Sequence, residues 1–147
     1  MTIFQALRED HAVQRKLASR LLETSGDSDT RRQLYQRLRE EMQIHAKAEE
    51  RFLYVPMLEL DLTQEKARHS IAEHHEMYEL LETLDTTEMG SAHWLPQFRK
   101  LHEKLFHHLE EEEYETFQMA GKGLSDPRIK QLAEDYRALV SRERKAA

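Results

Sequence analysis

Nine histidines stand in a chain of 147 residues that holds no cysteine. Disulfide frameworks, thiolate zinc sites, iron–sulfur clusters and Cys nucleophiles are thereby excluded, which leaves imidazole and carboxylate as the side chains for metal chemistry. Two pairs have the spacing that such chemistry needs, His45-x-x-x-Glu49 and His108-x-x-x-Glu112. On a helix, residues four apart share one face with Cβ atoms within about 6 Å, so both side chains can reach one centre. His11 and His74 join them if helix geometry also turns these two inward.

The elements that must do this positioning are helical almost throughout, because apolar residues recur with helical period and turn signals cut the chain into segments. Thr2 with Gln5 reads as a capping box opening a first helix with Ile3, Leu7, Val13, Leu17, Leu21 and Leu22, ended by Gly26. A second helix carries Leu34, Leu38, Met42, Phe52 and Leu53, with Pro56 expected to kink or end it. Thr63 is expected to cap a third, holding Ala67, Ile71, Met77, Leu81 and Leu84. A fourth is expected from Ser91 to Ala120, stopped by Gly121 and Gly123. Ser125-Asp126-Pro127 then starts a shorter last helix to Arg142. Four long helices with short connections predict an all-α fold, an antiparallel up-down-up-down four-helix bundle with an additional short C-terminal helix. The expected organisation is a bundle over 1–124 and a helix with a frayed tail over 125–147.

At about 100° per residue, His45 and Glu49 fall near the centre of the second helix's apolar stripe. His108 and Glu112 fall on the fourth helix's stripe with Phe98, Leu101, Leu105 and Met119. His74 continues the line of Ala67, Ile71 and Met77, and His11 flanks that of Leu7, Leu17 and Leu21. The remaining histidines sort differently: His69, His75, His93 and His107 read as surface residues, and His102 as core or as a residue just behind the ligands. Burying an unpaired carboxylate costs several kcal/mol, and no Lys or Arg lies on these stripes to neutralise Glu49 and Glu112. A metal centre satisfies all six groups together.

Four imidazoles and two carboxylates are too many for one tetrahedral zinc and too rich in nitrogen for calcium or magnesium. They suit iron or manganese, and two Glu from different helices can bridge a metal pair with two terminal His on each ion. One or two positions per ion would stay open for an oxo or hydroxo bridge and a small molecule. The expected cofactor is two iron ions, with manganese or zinc as substitutes, and the expected partner is O₂, NO or peroxide. Because imidazole coordinates only when neutral, metal loss is expected below about pH 6.

The pattern resembles the hemerythrin-like HHE cation-binding domain. The matching pieces are Leu7-Arg8-Glu9-Asp10-His11, His45-Ala46-Lys47-Ala48-Glu49-Glu50 with Leu53-Tyr54, Glu73-His74-His75-Glu76-Met77, and His108-Leu109-Glu110-Glu111-Glu112-Glu113 with Thr116-Phe117. The resemblance implies a non-haem di-iron site in which Glu49 and Glu112 bridge and His11, His45, His74 and His108 are terminal ligands. Oxygen-carrying hemerythrins have His-x-x-x-His on the third helix, where this chain has Tyr78 in the second place. Their fourth-helix spacing, His-x-x-x-x-Asp, is mimicked by His107 to Glu112, but the facing of the helix selects His108.

The formal net charge of −6, from 22 basic and 28 acidic residues, disfavours nucleic acid as a partner. No apolar run approaches the roughly 20 residues that span a bilayer, and Met1-Thr2-Ile3-Phe4-Gln5 lacks the layout of a signal peptide. The expectation is a cytoplasmic protein, with a homodimer allowed. Binding of a small ligand for sensing, storage or scavenging is the leading function. An oxidase, a peroxidase-like enzyme or an iron donor for repair is the alternative, and a bundle with incidental histidines is the third.

Overall fold

A computed structural model describes residues 1–147. Every element is helical: α1 (Ile3–Leu22), α2 (Asp29–Glu49), α3 (Val55–Leu58), α4 (Gln64–Asp85), α5 (Trp94–Glu111), α6 (Phe117–Gly123) and α7 (Asp126–Ala146). Two wider π-helical turns, π1 (Glu50–Tyr54) and π2 (Glu112–Thr116), join α2 to α3 and α5 to α6. The chain thus forms five rods. The first opens with the capping box, in which Thr2 and Gln5 bond to each other's backbone N–H. Ser28 and Ser125 cap α2 and α7 through their hydroxyls.

Two apolar cores are stacked along the rods. One gathers Ile3, Leu7, Leu53, Tyr54, Ala67, Phe117 and the inner face of α7; the other gathers Leu17, Leu21, Leu38, Leu81, Trp94, Phe98 and Leu105. The first rod runs from the former core to the latter and the second runs back. The third runs forward again and the fourth returns, an order that successive antiparallel helices produce. Between the cores, each of these four rods carries buried polar residues: His11 and Gln14, His45 and Glu49, Glu73 and His74, His108 and Glu112.

Local differences from the sequence expectations have physical causes. Pro56 lies two residues before its rod ends at Leu58, near the end expected of it. It sits in the first turn of α3, where its missing N–H costs little, and π1 just before it closes with Val55 N–H bonded to the Glu50 carbonyl. Thr63 occupies the N-cap position of α4, but its hydroxyl donates to the Met57 carbonyl at 2.7 Å and caps nothing. The fourth rod begins at Trp94 rather than Ser91.

The last helix is not short. α7 has 21 residues and continues to Ala146 because Arg144 pairs with Asp10 and Glu41, each at 2.8 Å, while Glu143 takes Lys47. It lies along α1 and α2, burying Ile129, Leu132, Ala133, Tyr136, Leu139 and Val140. No helix is long and apolar enough to cross a membrane.

Candidate metal centre

The polar layer brings all six sequence-selected residues together. His11 and His45 face each other across the first and second rods with ring centroids 4.9 Å apart, and His74 and His108 do the same across the third and fourth, also at 4.9 Å. The two imidazole pairs flank two carboxylates. Glu49 Oε1 lies 3.3 Å from His45 Nε2 and 3.1 Å from His74 Nε2, so this single oxygen meets both pairs. Glu112 divides its oxygens, with Oε1 3.2 Å from His11 Nε2 and Oε2 3.6 Å from His108 Nε2. Two compact donor groups result, His11–His45–Glu49–Glu112 and Glu49–His74–His108, in each of which the donor atoms lie within 4.8 Å of one another.

The outward nitrogens are held separately. His11 Nδ1 donates to Glu113 Oε2 at 2.9 Å, His108 Nδ1 to Glu73 Oε1 at 2.8 Å, and His45 Nδ1 to the Tyr136 hydroxyl at 2.8 Å. Tyr136 in turn donates to Asp10, and Asp10 is paired with Arg144. These bonds hold each Nδ1–H outward and turn each Nε2 toward the centre, the arrangement that imidazole ligands of metals adopt once any proton on Nε2 is lost. His74 is held more loosely, with Nδ1 3.7 Å from Glu50.

A phenol completes the cluster. The Tyr54 hydroxyl lies 2.8 Å from Glu49 Oε1, within bonding distance of Glu112 Oε2, and 3.4 Å from His74 Nε2. Five residues past Glu49, it would point about 140° away from that Glu on a regular α-helix. The wide π1 turn brings it back to the same face. The second π turn acts alike: Phe117, five past Glu112, is buried and stacks on His11 at 5.8 Å, while Met119 leaves the fully buried stripe. Uninterrupted helical periodicity cannot place residues beyond such turns, so Tyr54 escapes a reading of spacing alone.

With no metal in place, the layer balances charge through protons. Burial alone would lower the His11 pKa, but the adjacent carboxylates of Glu112 and Glu113 overcome it and raise the value to about 9. His74 is likewise raised to about 10, burial being outweighed by Glu49 and Glu50. Burial and the neighbouring Glu49 charge push Glu112 up, while His45, Glu112 and His74 hold Glu49 well below the usual range against its own burial. Burial and both carboxylates push the Tyr54 phenol up.

The donor set fits bound metal on a direct criterion. Nε2 of His11, His45 and His108, Oε2 of Glu49 and Oε1 of Glu112 are buried with no hydrogen-bond partner. Each orphaned polar atom costs about 1–3 kcal/mol, and all five face one small region. Two cations sharing the carboxylates would satisfy them together. The other histidines stand apart: His69, His75, His93 and His107 are exposed, and half-buried His102 stacks on Phe106 at 4.1 Å. Tyr78 is half-buried and lines a small cavity beside His45, His74 and His108.

Comparison with known proteins points the same way. No curated protein matches the chain. A crystal structure of a hemerythrin HHE cation binding domain-containing protein from Mycobacterium kansasii is similar, with a TM-score of 0.90 at 21% identity over 99% of this chain and 89% of that one. That likeness supports the fold. The family model for the hemerythrin HHE cation binding domain matches residues 2–120, a span that includes every residue of the polar layer contributed by the four long rods. This chain therefore belongs to the hemerythrin HHE cation-binding domain family.

Proposed function

We propose that the polar layer holds two iron ions and that the protein binds O₂, NO or peroxide there, for sensing, storage or scavenging. In this reading His11 and His45 would hold one ion and His74 and His108 the other, with Glu49 and Glu112 as shared carboxylates, within an up-down-up-down bundle covered by α7. Manganese or zinc could occupy the same donors. The observation that carries the proposal is the set of orphaned, inward-facing donor atoms, which nothing within the protein satisfies.

When bound, iron supplies open coordination positions and reversible redox chemistry. The protein's own residues orient the imidazoles through Glu113, Tyr136 and Glu73, exclude water with the cores on either side, and leave a cavity against His45, His74 and His108. That cavity is walled mainly by Met42, Met77, Leu81, Leu105 and Leu109. A narrow pocket with this mainly apolar lining suits a small molecule. We place the protein in the cytoplasm.

The test is the visible spectrum of iron-loaded protein under cycles of oxygenation and deoxygenation. Reversible spectral change is expected. Rapid conversion to a ferric form that no longer responds would contradict reversible O₂ binding. Turnover of peroxide far above that of free iron, abolished in Glu49→Ala, would establish the enzymatic alternative.

A further inference from the structure

Gln14 is a polar residue of the layer that the metal assignment does not use. It lies on α1 three residues after His11 and is 2% exposed, and its Nε2 has no hydrogen-bond partner. On the inner face of α1 it stands between Asp10 and His11 on one side and Leu17 and Ala18 on the other. A buried amide without a partner is destabilising, and such a group calls for an acceptor that is present only part of the time.

The acceptor's place is visible. Gln14 lines the cavity against His45, His74 and His108, whose volume is about 20 Å³. On this measure a cavity of roughly 10–15 Å³ holds one water, so the space takes a water or a two-atom molecule and little more. Apart from the three imidazoles, its polar lining comes from Gln14 and Tyr78 alone. Tyr78 is half-exposed and can bond to bulk water, whereas the Gln14 amide cannot. A ligand seated at the metal pair and extending into this space would find one fixed donor, the amide, among methionine and leucine side chains.

We propose that Gln14 donates a hydrogen bond to the outer atom of a two-atom ligand in this cavity. It thereby favours ligands whose outer atom carries acceptor charge, the oxygen-containing diatomics, over those that do not. This rests on the ligand-binding reading above. Gln14 is a positioning residue: it touches the ligand, and the imidazoles and carboxylates hold the metals.

Nitric oxide is the probe, added to the ferrous, iron-loaded protein and to its Gln14→Met variant, which keeps the unbranched shape of the side chain and removes the donor. The expected result is a higher N–O stretching frequency in the variant and NO dissociation about tenfold faster, with iron content unchanged. The metal-free variant should melt no lower than the metal-free parent, because an orphaned donor has been replaced by an apolar side chain. An unchanged stretch and dissociation rate in a variant that keeps its iron would overturn the role of Gln14 and leave ligand binding standing. A clear drop in the metal-free melting temperature would overturn it too, by showing that the amide serves packing. Absence of NO binding by the iron-loaded parent would remove the ligand-binding reading itself, and this inference with it.

Discussion

At the scale of single residues, the site is a set of nitrogens oriented from behind. Three of the four imidazoles have Nδ1 fixed by Glu113, Tyr136 or Glu73, and of these Tyr136 comes from the helix outside the four long rods. Tyr136→Phe keeps the ring in the core and removes only the hydroxyl that His45 and Asp10 share. We expect metal affinity to fall about 10–100-fold, measured by competition with a chelator, with little change in the metal-free fold. Unchanged affinity would show that the hydroxyl does not orient His45.

The raised values of His11 and His74, about 9 and about 10, give a signed pH dependence. Both are protonated near neutral pH in the metal-free protein and must lose those protons to coordinate. Metal binding at pH 7.5 should therefore release protons, and affinity should climb between pH 7 and 9. Metal loss on acidification thus begins above the pH 6 that an ordinary imidazole suggests. The metal-free fold behaves oppositely: a raised imidazole pKa stabilises it fully below about 6.5, and that stability is lost as pH rises toward 9–10. Calorimetry in two buffers of different ionisation enthalpy reads the proton count. Zero released protons would contradict the charge balance described.

At this scale, facing and spacing alone made the shared layer of His11, His45, Glu49, His74, His108 and Glu112 legible, because five of them lie on regular helices and Glu112 opens π2, before that turn has shifted the helix face. Tyr54, Tyr136 and Gln14 were not legible. Tyr54 depends on a π turn, Tyr136 on how a separate helix docks, and a glutamine on an apolar stripe shows its use only beside a cavity.

At the scale of elements, the layer's height is set by the helices and by what locks their ends. Pro56 marks an irregularity near the end of the second rod, but no residue pattern specifies the π turn beside it. The turns at the far end depend on Arg31. This buried guanidinium bonds to the Thr24 carbonyl at 2.7 Å, the Thr24 hydroxyl at 2.9 Å and the Met89 carbonyl at 2.8 Å, and lies 4.7 Å above the Trp94 ring. It joins the α1–α2 connection to the α4–α5 connection, two loops distant in sequence. A charge-assisted bond of this kind contributes about 1.5–3 kcal/mol and the three share one group, so Arg31→Ala should cost about 3 kcal/mol of unfolding free energy in denaturant titration, with metal content preserved. A loss under about 1 kcal/mol would mean that water replaces the guanidinium at no real cost. Helical periodicity revealed the rods, yet a basic residue just past a serine cap gave no hint of burial.

At the scale of the whole molecule, two apolar cores enclose one polar layer, and α7 covers the outer side of one core. The helical class followed from apolar period and turn residues. The length of α7 did not, because its last turn is held by Arg144 reaching Asp10 and Glu41, contacts that exist only after docking. The layer is the one place where the packing leaves several donor atoms unmet, and its two groups of donors share Glu49. The central claim is that this layer holds a pair of iron ions. Elemental analysis of untagged protein, combined with anomalous scattering at the iron edge, tests it most directly. The account predicts two irons per chain in the polar layer, falling sharply in Glu49→Ala. A single tetrahedral ion, or no stoichiometric metal together with unchanged stability in His45→Ala, would contradict it.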